Sequence, residues 1–199
     1  KQIQRSSQIF RVPDSGRKLQ MIKILKTVEE AKRFQQEARM YGKRIGFVPT
    51  MGALHDGHLA LVRKAKMESD LVVVSIFVNP TQFNDPKDLE KYPRTPEKDL
   101  EMLESVGTEV VFMPSVEEIY PPGLNTTLQL ELGQLDKVME GAFRPGHFQG
   151  MAQVVKRLLD LVQPDHLYMG QKDFQQFSIV GHMIRQLQLP VELVMVPTV

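Results

Sequence analysis

The sequence predicts an α/β fold built on a doubly wound parallel sheet. Strand and helix signals alternate from Arg44 onward, which is the pattern typical of βαβ units. Residues 45–48 and 71–77 are almost entirely apolar, as expected for central parallel strands that helices cover on both faces. With 199 residues, of which 42% are hydrophobic, the chain is long enough for one well-buried domain. In such folds, ligands bind at the carboxyl ends of the strands. Three segments that follow predicted strands are therefore expected to face one crevice: residues 55–58, 79–82 and 170–173.

The first half of the chain carries two helix signals and two strand signals. Residues 27–40 are predicted to be a helix because apolar side chains recur at helical spacing, at Val28, Ala31, Phe34 and Ala38. A strand over residues 44–48 and a helix over residues 57–68 follow. Residues 71–77, which are mostly β-branched, predict the second strand.

The second half continues the alternation. Thr95 is a suitable N-cap for a helix over residues 96–106, with Pro96 at its first position and Gly107 just past its end. Further helices are predicted over residues 149–161 and 174–187. Strands are predicted over residues 109–113, 166–169 and 191–196, together with an edge strand over residues 126–131. The segments loose enough to act as lids are residues 117–125 and 140–146.

Two histidines follow the first predicted strand. Pro49 and Gly52 are expected to end that strand, and Asp56 is a good N-cap for the next helix. His55 and His58 are three residues apart, so their side chains share one face of the first helical turn. Free backbone N–H groups and the positive end of the helix dipole gather there, which suits a polyphosphate.

Other interpretations of this segment fit less well. The three-glycine pattern of a dinucleotide-binding fold and the Gly-rich loop of a P-loop are both missing from the sequence. A zinc site would need further ligands, and the chain has neither a His-Glu-x-x-His pattern nor any cysteine. The two imidazoles could also simply cap or pack against the helix end. The pattern favours phosphate binding, and no metal-ligating residue is predicted.

The composition indicates which binding partners and which cellular compartment to expect. A net charge of +1 implies no broad attraction to nucleic acid. The longest apolar stretch, residues 71–78, is far too short to span a bilayer, so we expect a soluble protein. The absence of cysteine is compatible with a reducing, cytoplasmic compartment. Residues 1–20 hold five basic residues and one acid, and we expect a leader or a flexible tail outside the fold.

Five blocks of the sequence carry a resemblance to a known family: residues 50–58 (TMGALHDGH), 77–83 (FVNPTQF), 92–94 (YPR), 144–148 (RPGHF) and 170–176 (GQKDFQQ). In this order they resemble the pantoate–β-alanine ligase (pantothenate synthetase) family of the nucleotidyltransferase superfamily. The resemblance implies a Rossmann-like domain over residues 21–199 that binds ATP and pantoate. Members of this family continue into a Ser-Ser-Arg loop and a smaller C-terminal domain, so the resemblance also implies that the C-terminal domain is absent here and that full activity is in doubt.

The resemblance implies an enzyme, an AMP-forming ligase that makes an amide bond. Pantoate and ATP would give pantoyl-adenylate and pyrophosphate, and β-alanine would then give pantothenate, a coenzyme A precursor, and AMP. It implies Mg²⁺, held mainly by phosphate oxygens and water, and a homodimer. His58 would be the catalytic proton donor, Gln82, Gln176 and Asn79 would bind pantoate, and Gln82 would also lie by the β-alanine site. The ATP-binding residues that the resemblance implies are Met51, Gly52, Ala53, Leu54, His55, Asp56, Gly57, His58, Gly170, Gln171, Lys172, Asp173 and Val199.

The residue types support several of these roles. Adenylation of a carboxylate needs mainly positioning and charge neutralisation. A cation at Lys172, just before a helix, opposes the helix dipole unless an anion lies between them. Neutral amides at Asn79, Gln82 and Gln176 suit a hydroxy acid, whose groups need orienting without a competing nucleophile. Taken alone, a loop glutamine is more often a plain surface residue.

Several alternatives stay open. Arg144 and His147 could close over phosphates or belong to a structural turn. A nucleotidyltransferase with a phosphate acceptor is disfavoured, since Arg or Lys would be expected where Gln82 and Gln176 stand. A non-catalytic nucleotide-binding fragment is the other rival. The charge of His58 is also open, because the helix dipole disfavours the cation while a triphosphate favours it.

Overall fold

A computed structural model describes residues 22–144 and 146–198. The strands are β1 Lys23–Leu25, β2 Ile45–Thr50, β3 Leu71–Ile76, β4 Val110–Phe112, β5 His166–Gly170 and β6 Glu192–Val196. Within the described residues they form one sheet in the order β1-β4-β3-β2-β5-β6, and every neighbouring pair is parallel. The predicted parallel α/β fold is confirmed. The leader predicted at residues 1–20 and the site residue Val199 lie outside the described residues.

Helices connect these strands, as the alternation predicted. Their bounds are α1 Val28–Met40, α2 Asp56–Glu68, α3 Pro86–Lys91, α4 Pro96–Ser105, α5 Val116–Ile119, α6 Glu140–Phe143, α7 His147–Val162 and α8 Phe174–Gln186. The short helices α5 and α6 lie in the two segments that were predicted to be loose, and α3 was not predicted. Thr95 stands at the N-cap of α4 as predicted, but its side chain makes no capping hydrogen bond.

Alternate strand residues pack against opposite helix layers. Phe47 and Val73 share one core with residues of α1, α7 and α8. Val48 and Val74 share a second core with residues of α2 and α4. Because successive side chains of a strand point to opposite faces, this division places helices on both sides of the sheet. The doubly wound architecture is confirmed, and it explains why the central strands are apolar throughout.

The predicted edge strand at residues 126–131 is wrong. Within the described residues this segment pairs with no strand, and side chains of α7 bond its polar groups instead. Gln149 of α7 donates to the carbonyl of Leu128, and Gln153 donates to the hydroxyl of Thr126 at 2.9 Å. One sheet edge is instead β1, a three-residue strand paired with β4, which the sequence analysis missed.

Strand β2 runs two residues beyond its predicted end, through Pro49 to Thr50. The Thr50 carbonyl accepts the N–H of Phe77, just after β3, so by alternation the backbone of Pro49 faces β5. Pairing between β2 and β5 covers only the first part of β2, at Gly46 and Phe47. Because Pro49 faces a place without strand pairing, its missing N–H removes no hydrogen bond from the sheet. The gap it faces lies where the strand order reverses, which is where ligands bind in this fold class.

Candidate active site

A cavity of about 530 Å³ opens at the carboxyl ends of β2 and β5. It collects side chains from the three strand ends that the sequence analysis singled out. The predicted site residues that line it are Met51, His55, Gly57, His58, Asn79, Gln82, Gly170, Gln171, Lys172, Asp173 and Gln176. Gly52, Ala53, Leu54 and Asp56 are not among its lining residues, so their predicted contact with ATP stays a prediction. The predicted convergence of the three segments on one crevice is confirmed.

The two histidines cap the start of α2, and the predicted N-cap at Asp56 is wrong. His55 occupies the N-cap, and its Nδ1 accepts the N–H of Gly57 at 3.1 Å. The Nδ1 of His58 accepts the N–H of His55 at 3.3 Å, which completes a reciprocal cap. Asp56 follows as the first residue of the helix, where a carboxylate favours the dipole. An imidazole can take the N-cap role of Asp because its neutral ring also offers one acceptor.

This capping arrangement fixes the tautomer of both rings. A ring whose Nδ1 accepts a hydrogen bond carries its proton on Nε2. The ring centroids of His55 and His58 are 4.1 Å apart, and both rings line the cavity. The interpretation of these imidazoles as helix caps and their interpretation as ligand donors are therefore compatible, since each uses a different ring nitrogen.

The structure also indicates the charge of His58, which the sequence left open. Burial, and after it the neighbouring His55, lower the pKa of His58 from 6.5 to about 4. Asp173 and Asp99 act in the opposite direction, and Lys172 adds a smaller lowering contribution. The ring of His58 is therefore neutral at pH 7 and presents an Nε2–H donor.

The turn between β2 and α2 has a strained backbone. Gly52 and Ala53 both have positive φ, of 80° and 50°. This conformation suits glycine but costs a residue such as Ala about 1–3 kcal/mol, and it persists only where the surroundings determine it. Buried Asp99, from the first turn of α4, does so: its carboxylate accepts the N–H of Ala53 at 3.0 Å and that of Leu54 at 2.8 Å. Sequence analysis missed Asp99, because acids are common in the first turn of any helix.

The segment after β3 is held by neutral groups. Asn79, which is 1% exposed, donates from Nδ2 to Gln82 Oε1 at 3.1 Å and to the Gly150 carbonyl at 3.3 Å. Its Oδ1 accepts the hydroxyl of Tyr120 at 2.9 Å. Helix α7 can approach this closely because residue 150 is glycine; a Cβ there would lie 2.4 Å from the Thr81 carbonyl oxygen. Tyr120 is a second residue that sequence analysis missed.

Gln82 sits at the centre of these contacts. Its Nε2 lies 3.0 Å from the Met51 sulfur, a weak acceptor, so this donor group remains available to a ligand. The Nδ1 of buried His147 donates to the Gln82 carbonyl at 3.0 Å, which supports the structural alternative for His147. Burial lowers the pKa of His147. Arg144 does not line the cavity and lies 4.0 Å from Glu140.

A further part of the cavity wall is formed by the turn between β5 and α8. Gln171–Asp173 forms one 3₁₀ turn, and the exposed side chain of Lys172 stands beside the cavity mouth. Two adjacent glutamines of α8 then take different directions. Gln176 lines the cavity, whereas buried Gln175 bonds to the backbone of Leu135, Val138 and Glu140. The sequence analysis selected the glutamine that faces the cavity.

Two further features bear on cofactor and location. Across the described ranges, no group of three or more His, Asp or Glu side chains is arranged to hold a metal ion. Asp173 is a carboxylate on the wall of the cavity. The helices of the described residues include none with the length and apolar character to cross a bilayer.

This geometry defines a doubly wound α/β domain with a cavity at its topological switch point, and comparisons with known proteins place it more narrowly. The model of the Pantoate-beta-alanine ligase family matches residues 23–199. The chain is 50% identical over 176 residues to the pantothenate synthetase of Aquifex aeolicus and 52% identical over 178 residues to that of Porphyromonas gingivalis. The chain therefore belongs to the pantoate–β-alanine ligase family, as the five blocks predicted.

Solved structures give the same result. The pantothenate synthetase of Thermus thermophilus matches with a TM-score of 0.81 and 49% identity, covering 88% of this chain and 62% of that one. The pantoate–β-alanine ligase of Francisella tularensis, complexed with Beta-gamma ATP and Beta-alanine, matches with a TM-score of 0.84 and 40% identity, covering 89% of this chain and 67% of that one. The two relatives by sequence are likewise covered over 62% and 63% of their length, against 88% and 89% of this chain.

Proposed function

We propose that the cavity binds ATP and pantoate and supports the ATP-dependent synthesis of pantothenate. A carboxylate oxygen of pantoate attacks the α-phosphorus of ATP, forming an acyl-phosphate bond while the bond to the pyrophosphate leaving group breaks. The amine of β-alanine then attacks the acyl carbon, forming the amide and releasing AMP and a proton. One observation carries the proposal: a helix N-terminus with two Nε2–H imidazoles lines the same cavity as neutral amide side chains.

The side of the cavity at α2 suits the triphosphate. The helix N-terminus, the two imidazoles and Lys172 supply donors and positive charge without a nucleophile that could compete for the phosphorus. In the free protein His58 is neutral and acts first as a hydrogen-bond donor. An arriving triphosphate favours the protonated ring, which gives up the capping bond at Nδ1 and can then donate a proton from Nε2 to the leaving pyrophosphate.

The side of the cavity at Asn79 suits the hydroxy acid. Gln82 offers a free amide donor at a fixed position, and Gln176 of α8 supplies a second amide to the same cavity. These groups orient hydroxyl and carboxylate oxygens of pantoate, and Gln82 also serves the β-alanine that follows. Among the described residues that line this cavity, Lys172 is the lysine and there is no arginine. A phosphate acceptor would call for more cations, which disfavours the nucleotidyltransferase alternative.

Mg²⁺, a homodimer and a cytoplasmic location belong to the same proposal. Mg²⁺ on a nucleotide is held mainly by phosphate oxygens and water, with one or two carboxylates, so it needs no dedicated cluster of protein ligands. Asp173, a carboxylate on the cavity wall, would be the side chain that supplies such a ligand. Bound Mg²⁺ would neutralise phosphate charge.

Pantoate-dependent exchange of pyrophosphate into ATP tests the proposal. The exchange should be measured in this chain and in a chain extended to the length of its relatives. We expect exchange to require pantoate and to be independent of β-alanine, because adenylation precedes amide formation. Exchange without pantoate, or with phosphorylated acceptors in its place, would support the nucleotidyltransferase. ATP binding without any exchange in the extended protein would support a non-catalytic module.

A further inference from the structure

Asp99 is a carboxylate with no contact to the cavity, yet it is among the least exposed polar groups described. Its side chain is 1% exposed and lies in the first turn of α4, on the sheet face that α2 also covers. Its partners in the described part of the chain are two backbone N–H groups and the hydroxyl of Thr95, which donates at 3.2 Å. A buried carboxylate satisfied by N–H donors instead of a cation is costly to place unless it holds something specific.

The two N–H groups belong to the turn that leads into the histidine pair. Ala53 and Leu54 donate to different oxygens of the carboxylate, so both oxygens are committed to this turn. The turn also lies tightly against Asp99: a Cβ at Gly52 would be 3.0 Å from its Oδ2. Leu54 directly precedes His55, the N-cap of α2. A shift of the turn would therefore move the reciprocal cap that orients both imidazoles.

We propose that Asp99 is a positioning residue that holds Gly52 and Ala53 in their left-handed conformation and thereby sets the orientation of His55 and His58 toward the nucleotide. This inference rests on the proposed function for the identity of the ligand, but not for the effect on the histidines. Asp99 touches neither substrate nor reacting atoms; it acts through the turn.

The chemistry explains why a carboxylate is needed at this position. In Asp99→Asn the side-chain shape is kept, but one acceptor oxygen becomes an NH₂ donor. If the NH₂ takes the place of Oδ1, the Thr95 hydroxyl can rotate to accept from it, and Ala53 keeps its acceptor. The N–H of Leu54 then faces a donor and is left unsatisfied. The opposite orientation leaves Ala53 unsatisfied instead, so no rotamer of Asn satisfies both N–H groups.

The charge of Asp99 gives independent support. It raises the pKa of His58, against the effect of burial. The same carboxylate that orients the ring therefore also favours its protonation when the triphosphate arrives. A neutral side chain at position 99 would lose both contributions.

The test compares Asp99→Asn with Asp165→Asn in this chain. Asp165 is a matched control because it also accepts a backbone N–H next to β2, that of Ile45 at 2.7 Å, but at the opposite end of the strand. The measurements are the imidazole ¹⁵N shifts of His58 at neutral pH, ATP affinity by calorimetry, and the melting temperature. For Asp99→Asn we expect His58 to change from the Nε2–H tautomer to a mixture of both tautomers. We also expect ATP affinity to fall by about tenfold, the scale of one lost charge-assisted hydrogen bond. Asp165→Asn should lower the melting temperature and leave both other readouts unchanged.

Each outcome decides a separate question. Wild-type His58 shifts and ATP affinity in a folded Asp99→Asn protein would overturn the inference, as would equal loss of ATP affinity in Asp165→Asn. If the wild-type chain binds no ATP, the proposed function fails, while the ¹⁵N shifts still test the role of Asp99. Should Asp99→Asn not fold, Thr95→Val removes the third hydrogen bond and keeps the carboxylate. The same change of His58 shifts, smaller in size, is expected there, and its absence would overturn the inference.

Discussion

The turn after β2 and the segment after β3 both begin at the carboxyl ends of neighbouring strands. Different chemical groups hold each of them in place. The first is fixed by a buried carboxylate, Asp99, that accepts backbone N–H groups. The second is fixed by side-chain amides and a phenol, through Asn79, Gln82 and Tyr120. The first arrangement fixes the backbone, and the two imidazoles keep their Nε2–H groups available to a ligand. The second arrangement fixes the position of the side-chain amide of Gln82, which is the group proposed to bind the substrate.

The difference fits the two ligands proposed. Beside a phosphate that changes its charge during the reaction, a carboxylate can tune the pKa of a histidine as well as hold a turn. Beside a carboxylic acid that must attack, a fixed negative charge would repel the substrate and a fixed cation would reduce its nucleophilicity. Neutral amides orient the acid without either effect. Substitutions in the nucleotide half of the cavity, beside His55 and His58, should therefore impair ATP binding and adenylation. Substitutions in the acid half, beside Asn79 and Gln82, should impair pantoate binding.

The largest effect is expected at His58. His58→Ala removes the Nε2–H donor from the nucleotide half, and we expect adenylation to fall by about 10²–10⁴-fold, the range for a lost acid or oxyanion donor. Pyrophosphate exchange measures it, and circular dichroism should show an intact fold because the ring faces the cavity. His182→Ala is the matched control, since that ring bonds to the Glu131 carbonyl away from the cavity. Near-normal exchange in folded His58→Ala protein would remove the catalytic role.

The next largest effect is expected at Gln176 and not at the adjacent Gln175. Gln176→Ala should weaken pantoate use by about 1–3 kcal/mol from unpaired substrate groups while leaving ATP affinity largely unchanged. Gln82→Ala should do the same. Gln175→Ala is the matched control, because its side chain bonds only to backbone groups before and within α6. It should lower the melting temperature and spare pantoate affinity. Equal loss of ATP and pantoate binding in Gln176→Ala would mean that this residue is structural as well.

The sequence predicted the parts of the site that are local. Each of the three segments follows a strand, and parallel strands end at one edge, so His58, Gln82 and Lys172 could be placed together before any coordinates. Asp99 and Tyr120 could not be found this way. Their partners Leu54 and Asn79 are 45 and 41 residues away along the chain. No local pattern distinguishes such residues from an ordinary helix-start acid or a buried aromatic.

The errors in the fold have a similar cause. Residues 126–131 alternate like an edge strand, but side chains of α7 satisfy part of their backbone, which local alternation cannot reveal. Pro49 was expected to end β2 because proline lacks an N–H. The strand continues because the missing donor faces the gap beside β5. Both errors depend on whether polar backbone groups find partners that are distant along the chain.

A smaller effect is expected in the pH dependence of stability. The pKa of His58 is about 4 in the folded chain and 6.5 ordinarily, so the unfolded state takes up the proton first as pH falls. The stabilisation is complete above pH 6.5 and is lost between pH 6.5 and about 4. We expect about 1–2 kcal/mol, less than the full conversion because the ring is partly exposed.

Urea unfolding of wild type and His58→Ala at several pH values measures this difference. His147, whose pKa is also lowered, is present in both proteins and cancels in the comparison. Stability that falls equally in the two proteins between pH 6.5 and 4 would show that His58 is not the group responsible. Saturating ATP should move the His58 titration to higher pH, because a triphosphate favours the protonated ring.

The smallest effect is expected at Tyr120, which supports the acid half from outside the cavity. Burial raises the pKa of Tyr120, so its hydroxyl stays protonated and donates to Asn79 Oδ1. Tyr120→Phe keeps the ring and removes this donor, but Thr81 still donates to the same oxygen at 3.1 Å. We therefore expect a loss of only about 1 kcal/mol, seen as a several-fold weaker pantoate affinity at unchanged ATP affinity. Tyr41→Phe, at an exposed position, is the control. An equal loss of ATP affinity in Tyr120→Phe would show that the two halves of the cavity are coupled. Their separation into a nucleotide half and an acid half would then be wrong.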